Sequence, residues 1–367
     1  MPHITWCLTG PLTFLPIHAA GLYNVDGGPK IFDYVVSSYT PTLAALLTTQ
    51  RHRPKSTQPP RLLVITQPAT PGQNPLPGTL HEANAIRSLQ TQPSQLDITR
   101  LNDREATVAA TLQHMNGSNW IHLACHGDQD AANPTESAFI LIDDRLTLKE
   151  IMKQSFTHTE LAFLSACQTA KGDSELPEEA IHLAAGMLMA GYRSVVATMW
   201  SILDDVAPVV AEKFYKHLIN EGKGDSTRAA YALHDAMVHV REMRGEKDFM
   251  SWVPFIHLGV CLNDAEEANP PPMSQTHPVR FFLVPFLAHL SFIRMQVPGA
   301  GAYGDALLAP YSTHCSSVFV LTPSGHTPLL DDILCVFVLA SIYMPHIPDR
   351  VRNDIVTTNF VCLPRLE

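Results

Sequence analysis

Two side chains in this sequence could together break an acyl bond, the imidazole of His126 and the thiol of Cys167, each placed just beyond a short apolar run. The first run is Trp120-Ile121-His122-Leu123-Ala124-Cys125, followed by His126 and Gly127; the second is Leu161-Ala162-Phe163-Leu164-Ser165-Ala166, followed by Cys167. A thiol must lose its proton to attack a carbonyl carbon, and a neighbouring imidazole can take that proton and later return one to the leaving amine. An imidazolium partner also lowers the thiol pKa, so thiolate forms near neutral pH. The tetrahedral intermediate then needs donors for its oxyanion, which a backbone N–H beside each reactive residue can supply. Gly127, with no Cβ, leaves room for close approach of a substrate. Taken singly, a cysteine at a strand end is more often an inert small hydrophobe and a histidine an ordinary core or surface residue. Their joint position at two strand ends narrows that preference without reversing it.

Both apolar runs have the continuous hydrophobic character of strands buried in a parallel sheet. In open α/β sheets ligands bind beyond the carboxyl ends of the strands, where two such side chains can meet. About forty residues separate them, enough for a crossover between parallel neighbours.

The flanking sequence from Tyr34 to about Leu262 alternates strand-like runs with helical patterns, which predicts a mostly parallel sheet covered by helices on both faces. Strands are expected at Tyr34–Tyr39, Arg61–Thr66, Leu96–Leu101, Tyr192–Thr198 and Trp252–Val260. A small hairpin is expected over Ala138–Ile142 and Arg145–Leu148, with a short helix from Lys149 to Gln154. Thr79 and Glu82 have the spacing of a capping box ahead of Ala83, Ile86 and Leu89. Further helices are expected near Thr107–Met115 and from Pro177 to Ala190, closed by Gly191. Asp204 or Asp205 should cap a helix bearing Val206, Val209, Val210, Phe214 and Leu218. Asp225 or Ser226 should cap one bearing Ala229, Leu233, Ala236, Met237 and Val240.

With 367 residues the chain can bury a large core, and a principal domain of about 250 residues with an appendage fits domain sizes better than two equal halves. The net charge of −10 and the lack of any lysine or arginine run argue against a nucleic-acid partner. Seven cysteines, widely and irregularly spaced, suit a reducing compartment better than a disulfide framework, which makes the cytoplasm the expected location. Met1–Ala20 has no basic segment and is interrupted by Pro2, Pro11 and Pro16, unlike a secretory signal. The apolar runs Phe281–Ile293 and Ile333–Met344 fall short of the roughly 20 residues that cross a bilayer, so no membrane partner is expected. Asn116-Gly117-Ser118 matches a glycosylation acceptor but is expected to be a turn. Beyond Leu262, Pro270-Pro271-Pro272 interrupts the chain, lysine disappears and no periodicity lasts, so residues 263–367 are expected to form an irregular, disordered extension.

Several stretches resemble the motifs of the CHAT family, caspase-like domains often attached to tetratricopeptide repeats. His122-Leu123-Ala124-Cys125-His126-Gly127 and Leu164-Ser165-Ala166-Cys167-Gln168-Thr169 resemble its histidine and cysteine motifs. Gly10-Pro11-Leu12 with Leu15-Pro16 and His18-Ala19, Ala184-Ala185-Gly186 with Ala190-Gly191-Tyr192, Val196-Ala197-Thr198-Met199-Trp200 and Trp252-Val253-Pro254-Phe255 follow in the family's order. The resemblance covers residues 3 to 262 and implies the caspase-hemoglobinase fold of caspases, metacaspases and separases. It implies His126 as base, Cys167 as nucleophile and the backbone amides of Gly127 and Cys167 as the oxyanion site. The family's domain normally opens with a helix and a strand ahead of the Gly-Pro-Leu segment, so the amino end of domain 1–262 is expected to be shortened. No repeat of about 34 residues is visible, so an upstream repeat or sensor domain would be a partner from outside this sequence.

The resulting expectation is a cysteine endopeptidase acting on polypeptides within a signalling system, the alternative being an inactive scaffold of the same fold. Acidic residues after the two reactive positions, Asp128, Asp130, Asp173 and Glu175, would favour a basic side chain before the cut bond, with Lys171 diluting the effect. No cofactor or metal is called for. A zinc site from His122, Cys125, His126 and Cys167 would need a broken strand, because His122 and His126 alternate with Cys125 across an extended one. Gly299-Ala300-Gly301-Ala302-Tyr303-Gly304 fits a dinucleotide fingerprint by letter but follows Pro298 and precedes no helical pattern.

Overall fold

A computed structural model describes residues 1–8, 12–13, 15–42, 45–46, 59–90, 96–130, 132–154, 156, 158–165, 167–168, 182–259, 261, 279–285, 317–323 and 334–339, with residues 167–168, 182 and the last three stretches described by their backbone. The chain divides into two compact units, Ser38–Asp264 and a second formed by Met1–Ser37 with Ala265–Glu367.

After β1 (His3–Leu8), the chain runs through β2 (Val36–Tyr39), β3 (Arg61–Thr66), α1 (Gly78–Ser88), β4 (Asp97–Asn102), α2 (Val108–Met115), β5 (Trp120–Ala124) and β6 (His126–Asp128). The hairpin β7 (Ala138–Ile140) and β8 (Arg145–Thr147) leads into α3 (Leu148–Lys153), β9 (Leu161–Leu164) and β10 (Cys167–Gln168). Then come α4 (His182–Met189), β11 (Ser194–Thr198), α5 (Ala207–Asn220), α6 (Ala229–Arg244), α7 (Phe249–Trp252) and β12 (Phe255–Gly259).

The main sheet of the larger unit has the order β12-β11-β9-β5-β3-β4, with Tyr39 of β2 pairing beyond β12. Its ladders are parallel apart from β11 with β12. Strands β5, β9, β11 and β12 are buried at every position, as the unbroken apolar runs required, because both faces of the sheet are covered. Phe214 and Tyr215 of α5 lie over this sheet, with ring centroids 5.1 and 5.8 Å from that of Phe163 in β9. His257 of β12 joins three strands: its Nδ1 is 2.6 Å from Ser38 Oγ of β2 and its Nε2 is 2.7 Å from Ser194 Oγ of β11.

A second, four-stranded sheet in the order β10-β6-β7-β8 stands beside the first. The two apolar runs therefore do not end in loops. Cys125 alone separates β5 from β6, and Ser165 and Ala166 separate β9 from β10, so both strands cross from one sheet into the other. The predicted hairpin supplies the reason, since β7 pairs antiparallel with β6 and gives its backbone groups partners.

Two predicted caps are used otherwise. Helix α1 has no side-chain cap; Thr79 Oγ1 donates to the Leu76 carbonyl at 2.8 Å, and Glu82 is buried in the core. Asp204 and Asp205 do not cap α5, because Asp204 Oδ2 accepts the Gly78 N–H at 2.9 Å and Asp205 pairs with Arg244. The α3 cap is a full capping box between Thr147 and Glu150, and Asp225 accepts from the Thr227 N–H at 2.9 Å. Asn116-Gly117-Ser118 is the predicted turn, with the Gly117 N–H on the His114 carbonyl at 3.0 Å.

In the smaller unit, β13 (Val279–Pro285), β14 (Ser317–Pro323) and β15 (Leu334–Leu339) form an antiparallel succession, and β15 pairs parallel with β1. Strand β13 overlaps the start of the first late apolar run, and β15 lies within the second. The other residues of 263–367, including the glycine-rich 299–304, lie outside the described residues.

Candidate active site

The site is set by a register. In the main sheet β5 pairs with β9 as far as Leu123 with Leu164. Three residues further along each strand, in the second sheet, His126 pairs with Cys167 and Gly127 with Gln168. The pairing crosses from one sheet to the other without a slip. Neighbouring parallel strands lie about 4.8 Å apart, which sets the backbones of His126 and Cys167 at that spacing. Gly127 is also the partner of Phe139 on β7.

The His126 ring is 5% exposed, and its Nε2 lies 2.7 Å from the main-chain carbonyl oxygen of Asn74. A carbonyl only accepts, so Nε2 carries a hydrogen and donates in this contact. Nδ1 is buried and has no hydrogen-bond partner among the described residues.

Asn74 belongs to the segment leading into α1, and the same helix reaches toward the strands of both candidate residues through Glu82. Glu82 Oε1 is 2.7 Å from His122 Nε2, and Glu82 Oε2 accepts from Ser165 Oγ at 3.0 Å. His122 lies four residues before His126, and Ser165 two before Cys167. The other His122 nitrogen, Nδ1, is 3.2 Å from Tyr215 Oη, and its ring stacks on Phe163 at 4.9 Å between centroids. All four polar groups are buried. Burial holds the Tyr215 hydroxyl well above its ordinary pKa, and the Glu82 charge adds to the effect.

This network was hidden in the sequence because Thr79 and Glu82 imitate a capping box. The better signal was the stripe Thr79, Glu82, Ala83 and Ile86, which follows the i, i+3, i+4, i+7 spacing of a buried helix face and places one carboxylate in its middle.

The acidic rim is only partly within view. Asp128 is paired with Arg145 of β8, which also donates to the Glu136 carbonyl at 3.0 Å. Asp130 Oδ1 accepts from the Asn133 N–H at 2.8 Å. Asp173, Glu175 and Lys171 lie outside the described residues.

Of the groups weighed as zinc ligands, His122 lies against Glu82 and Tyr215, and His126 against the Asn74 carbonyl. Among the described residues, the group compact enough for a cation is His217, Glu221 and Asp235 on α5 and α6. His217 Nδ1 is already 2.8 Å from Asp235 Oδ2, and Lys213 and Lys216 line the same hollow, so the arrangement is an ion-pair cluster.

A sequence profile of the CHAT domain matches residues 1–260. The chain belongs to the CHAT domain family. Its α/β, mostly parallel sheet is the caspase-like architecture implied by the His122–Gly127 and Leu164–Thr169 motifs. No curated protein matches this CHAT domain. Among solved structures it is similar to the separase of the Saccharomyces cerevisiae separase–securin complex, at 14% identity and a TM-score of 0.42, over 63% of this chain and 14% of that one. The chain therefore spans a small part of that protein's length. No helix among the described residues is long and apolar enough to cross a membrane.

Proposed function

We propose that this CHAT domain is a cysteine endopeptidase that cleaves peptide bonds with His126 as general base and Cys167 as nucleophile. The observation that carries the reading is the pairing of His126 with Cys167 on adjacent parallel strands, with His126 Nε2 committed to the Asn74 carbonyl. On this reading Nδ1 takes the thiol proton, and the thiolate attacks the substrate carbonyl carbon. The backbone amides of Gly127 and Cys167 receive the developing oxyanion. As the tetrahedral intermediate collapses, the C–N bond breaks and Nδ1–H protonates the departing amine. Water, deprotonated by the same nitrogen, then hydrolyses the thioester and regenerates the thiol.

The proposal extends to the setting. Residues 1–262 form the peptidase domain and 263–367 an extension; the domain works in the cytoplasm within a regulated-proteolysis system, under the control of a repeat or sensor region. Preference for arginine or lysine before the cut bond rests on Asp173 and Glu175 more than on Asp128, whose charge is matched by Arg145.

Alkylation of the purified protein with iodoacetamide across pH, with sites read by mass spectrometry, tests the chemistry. Cys167 is expected to react far faster than Cys125, with a depressed apparent pKa that is lost in His126→Ala. Equal, slow labelling of both cysteines would overturn the peptidase and favour an inactive scaffold of the same fold. A Cys167→Ala trap would then retain no cleavable partner.

A further inference from the structure

The polar groups behind the reactive pair have more order than core packing requires. A carboxylate buried to 1% exposure in a helix facing a sheet is rare unless its oxygens are used, and Glu82 divides its two oxygens between two different strands. Oε1 lies at ion-pair distance from His122 Nε2 on β5, 2.7 Å but without hydrogen-bond geometry, and Oε2 accepts the hydrogen bond of the Ser165 hydroxyl at the end of β9. These strands lead, within four and two residues, to His126 and Cys167. Two residues span at most about 7 Å of chain, so anchoring Ser165 leaves Cys167 a small volume to explore.

The helix that bears Glu82 is itself fixed. The Gly78 N–H at its start donates to Asp204 Oδ2 at 2.9 Å, and a Cβ at Gly78 would collide with the side chain and carbonyl of Asp204. Just ahead of that start, Asn74 supplies the carbonyl that holds His126 Nε2. The segment from Asn74 to Glu82 therefore touches the base directly and the nucleophile's strand through a serine.

We propose that Glu82 is a positioning residue for the reactive pair, acting through Ser165 on Cys167 and through His122 on the strand that carries His126. This rests on the peptidase reading and names what holds its geometry. On this inference Glu82 acts through Ser165 and His122. Its action is to keep the two strand ends in one relative arrangement where each strand passes from the main sheet into the second.

The experiment compares Ser165→Ala, Ser165→Thr and Glu82→Gln with a control, Ser38→Ala, in the full chain. Ser38→Ala likewise removes a buried, hydrogen-bonded hydroxyl, but one on β2 whose partner is His257. Three readouts are taken: the pH profile of Cys167 alkylation, kcat and KM on a peptide selected from a library, and thermal stability. Ser165→Ala is expected to slow Cys167 alkylation and lower kcat at least tenfold with KM within twofold, and Ser165→Thr to restore most of both. Glu82→Gln, which keeps one acceptor oxygen but loses the charge, is expected to fall between them. Ser38→Ala is expected to lose comparable thermal stability with little change in kcat or labelling.

Labelling and kcat within twofold of the unaltered protein in Ser165→Ala would overturn the inference, as would an equal loss in Ser38→Ala. If Glu82→Gln does not fold, Ser165→Ala decides alone. An unaltered protein whose Cys167 labels no faster than Cys125 would instead overturn the peptidase reading, and this inference with it.

Discussion

His126 and Cys167 face each other on adjacent parallel strands, and their pairing continues without a slip the pairing of Leu123 with Leu164 in the main sheet. The register of the larger sheet thus fixes which residue meets His126, although the two residues stand in a different sheet. Deleting Ala166 should move Cys167 one position back along β10 while leaving the buried Leu161–Leu164 ladder in place. A one-residue shift turns each side chain to the opposite face of a strand. The expected result is a protein with unchanged circular dichroism whose Cys167 labels at the rate of Cys125. Retained fast labelling would mean that register does not set the site.

The strands that carry these residues were legible because their signal is local. Trp120–Ala124 and Leu161–Leu164 are continuous apolar runs, and only burial on both faces favours such runs in short strands. The hairpin at Ala138–Thr147 was equally plain, from its central Asp143-Asp144. Less legible was that this hairpin recruits His126–Asp128 and Cys167–Gln168 into a sheet of their own, because pairing partners distant in sequence leave no periodic mark. Caps were the weakest inference. Asp204, Asp205 and Glu82 each stand where a helix start would use them, yet each is claimed by a tertiary partner, Gly78, Arg244, and His122 with Ser165 respectively. Local spacing offers the cap; the fold decides whether the side chain is free to make it.

Removing the Glu82 carboxylate altogether should be costly even if catalysis is ignored. Glu82→Ala leaves the buried Ser165 Oγ without its acceptor and His122 Nε2 without the facing carboxylate, and orphaning a buried polar group costs about 1–3 kcal/mol. Glu82→Gln should lose clearly less, because an amide oxygen still accepts from Ser165. Urea unfolding followed by circular dichroism measures both. Equal losses, or a loss under about 1 kcal/mol for the alanine variant, would show that the network is not sustained in solution.

Arg145 offers a handle on substrate preference. Its guanidinium pairs with Asp128 two residues after His126, and both side chains remain more than two-fifths exposed. Arg145→Gln would leave the Asp128 carboxylate unmatched beside the site and make the rim more acidic. If the rim selects basic residues, kcat/KM for lysine or arginine substrates should rise a few-fold relative to neutral ones, more so at low ionic strength, where screening is weak. An unchanged ratio in peptide-library profiling would remove Asp128 from the determinants of specificity.

The ion-pair cluster between α5 and α6 makes stability depend on pH in a calculable direction. The hydrogen bond that His217 donates to Asp235 raises the His217 pKa above its ordinary 6.5 against the opposing effect of burial, and the Asp235 and Glu221 charges add to the rise. The same hydrogen bond lowers the Asp235 pKa below its ordinary 3.8. A raised histidine pKa means that the folded state holds the proton more tightly, so this contribution is complete below 6.5 and fades as pH rises through the folded value. On the acid side the depressed carboxyl works in reverse, and its contribution is lost as pH falls below 3.8 through the folded value. Both shifts describe one interaction, and with the Asp235 side chain 53% exposed solvent screening limits it to about 1 kcal/mol or less. The stability difference between the unaltered protein and His217→Gln should therefore be greatest between these limits, near pH 5, and shrink toward pH 8. A difference that stays constant from pH 5 to pH 8 would show that the imidazolium pair contributes nothing to the fold.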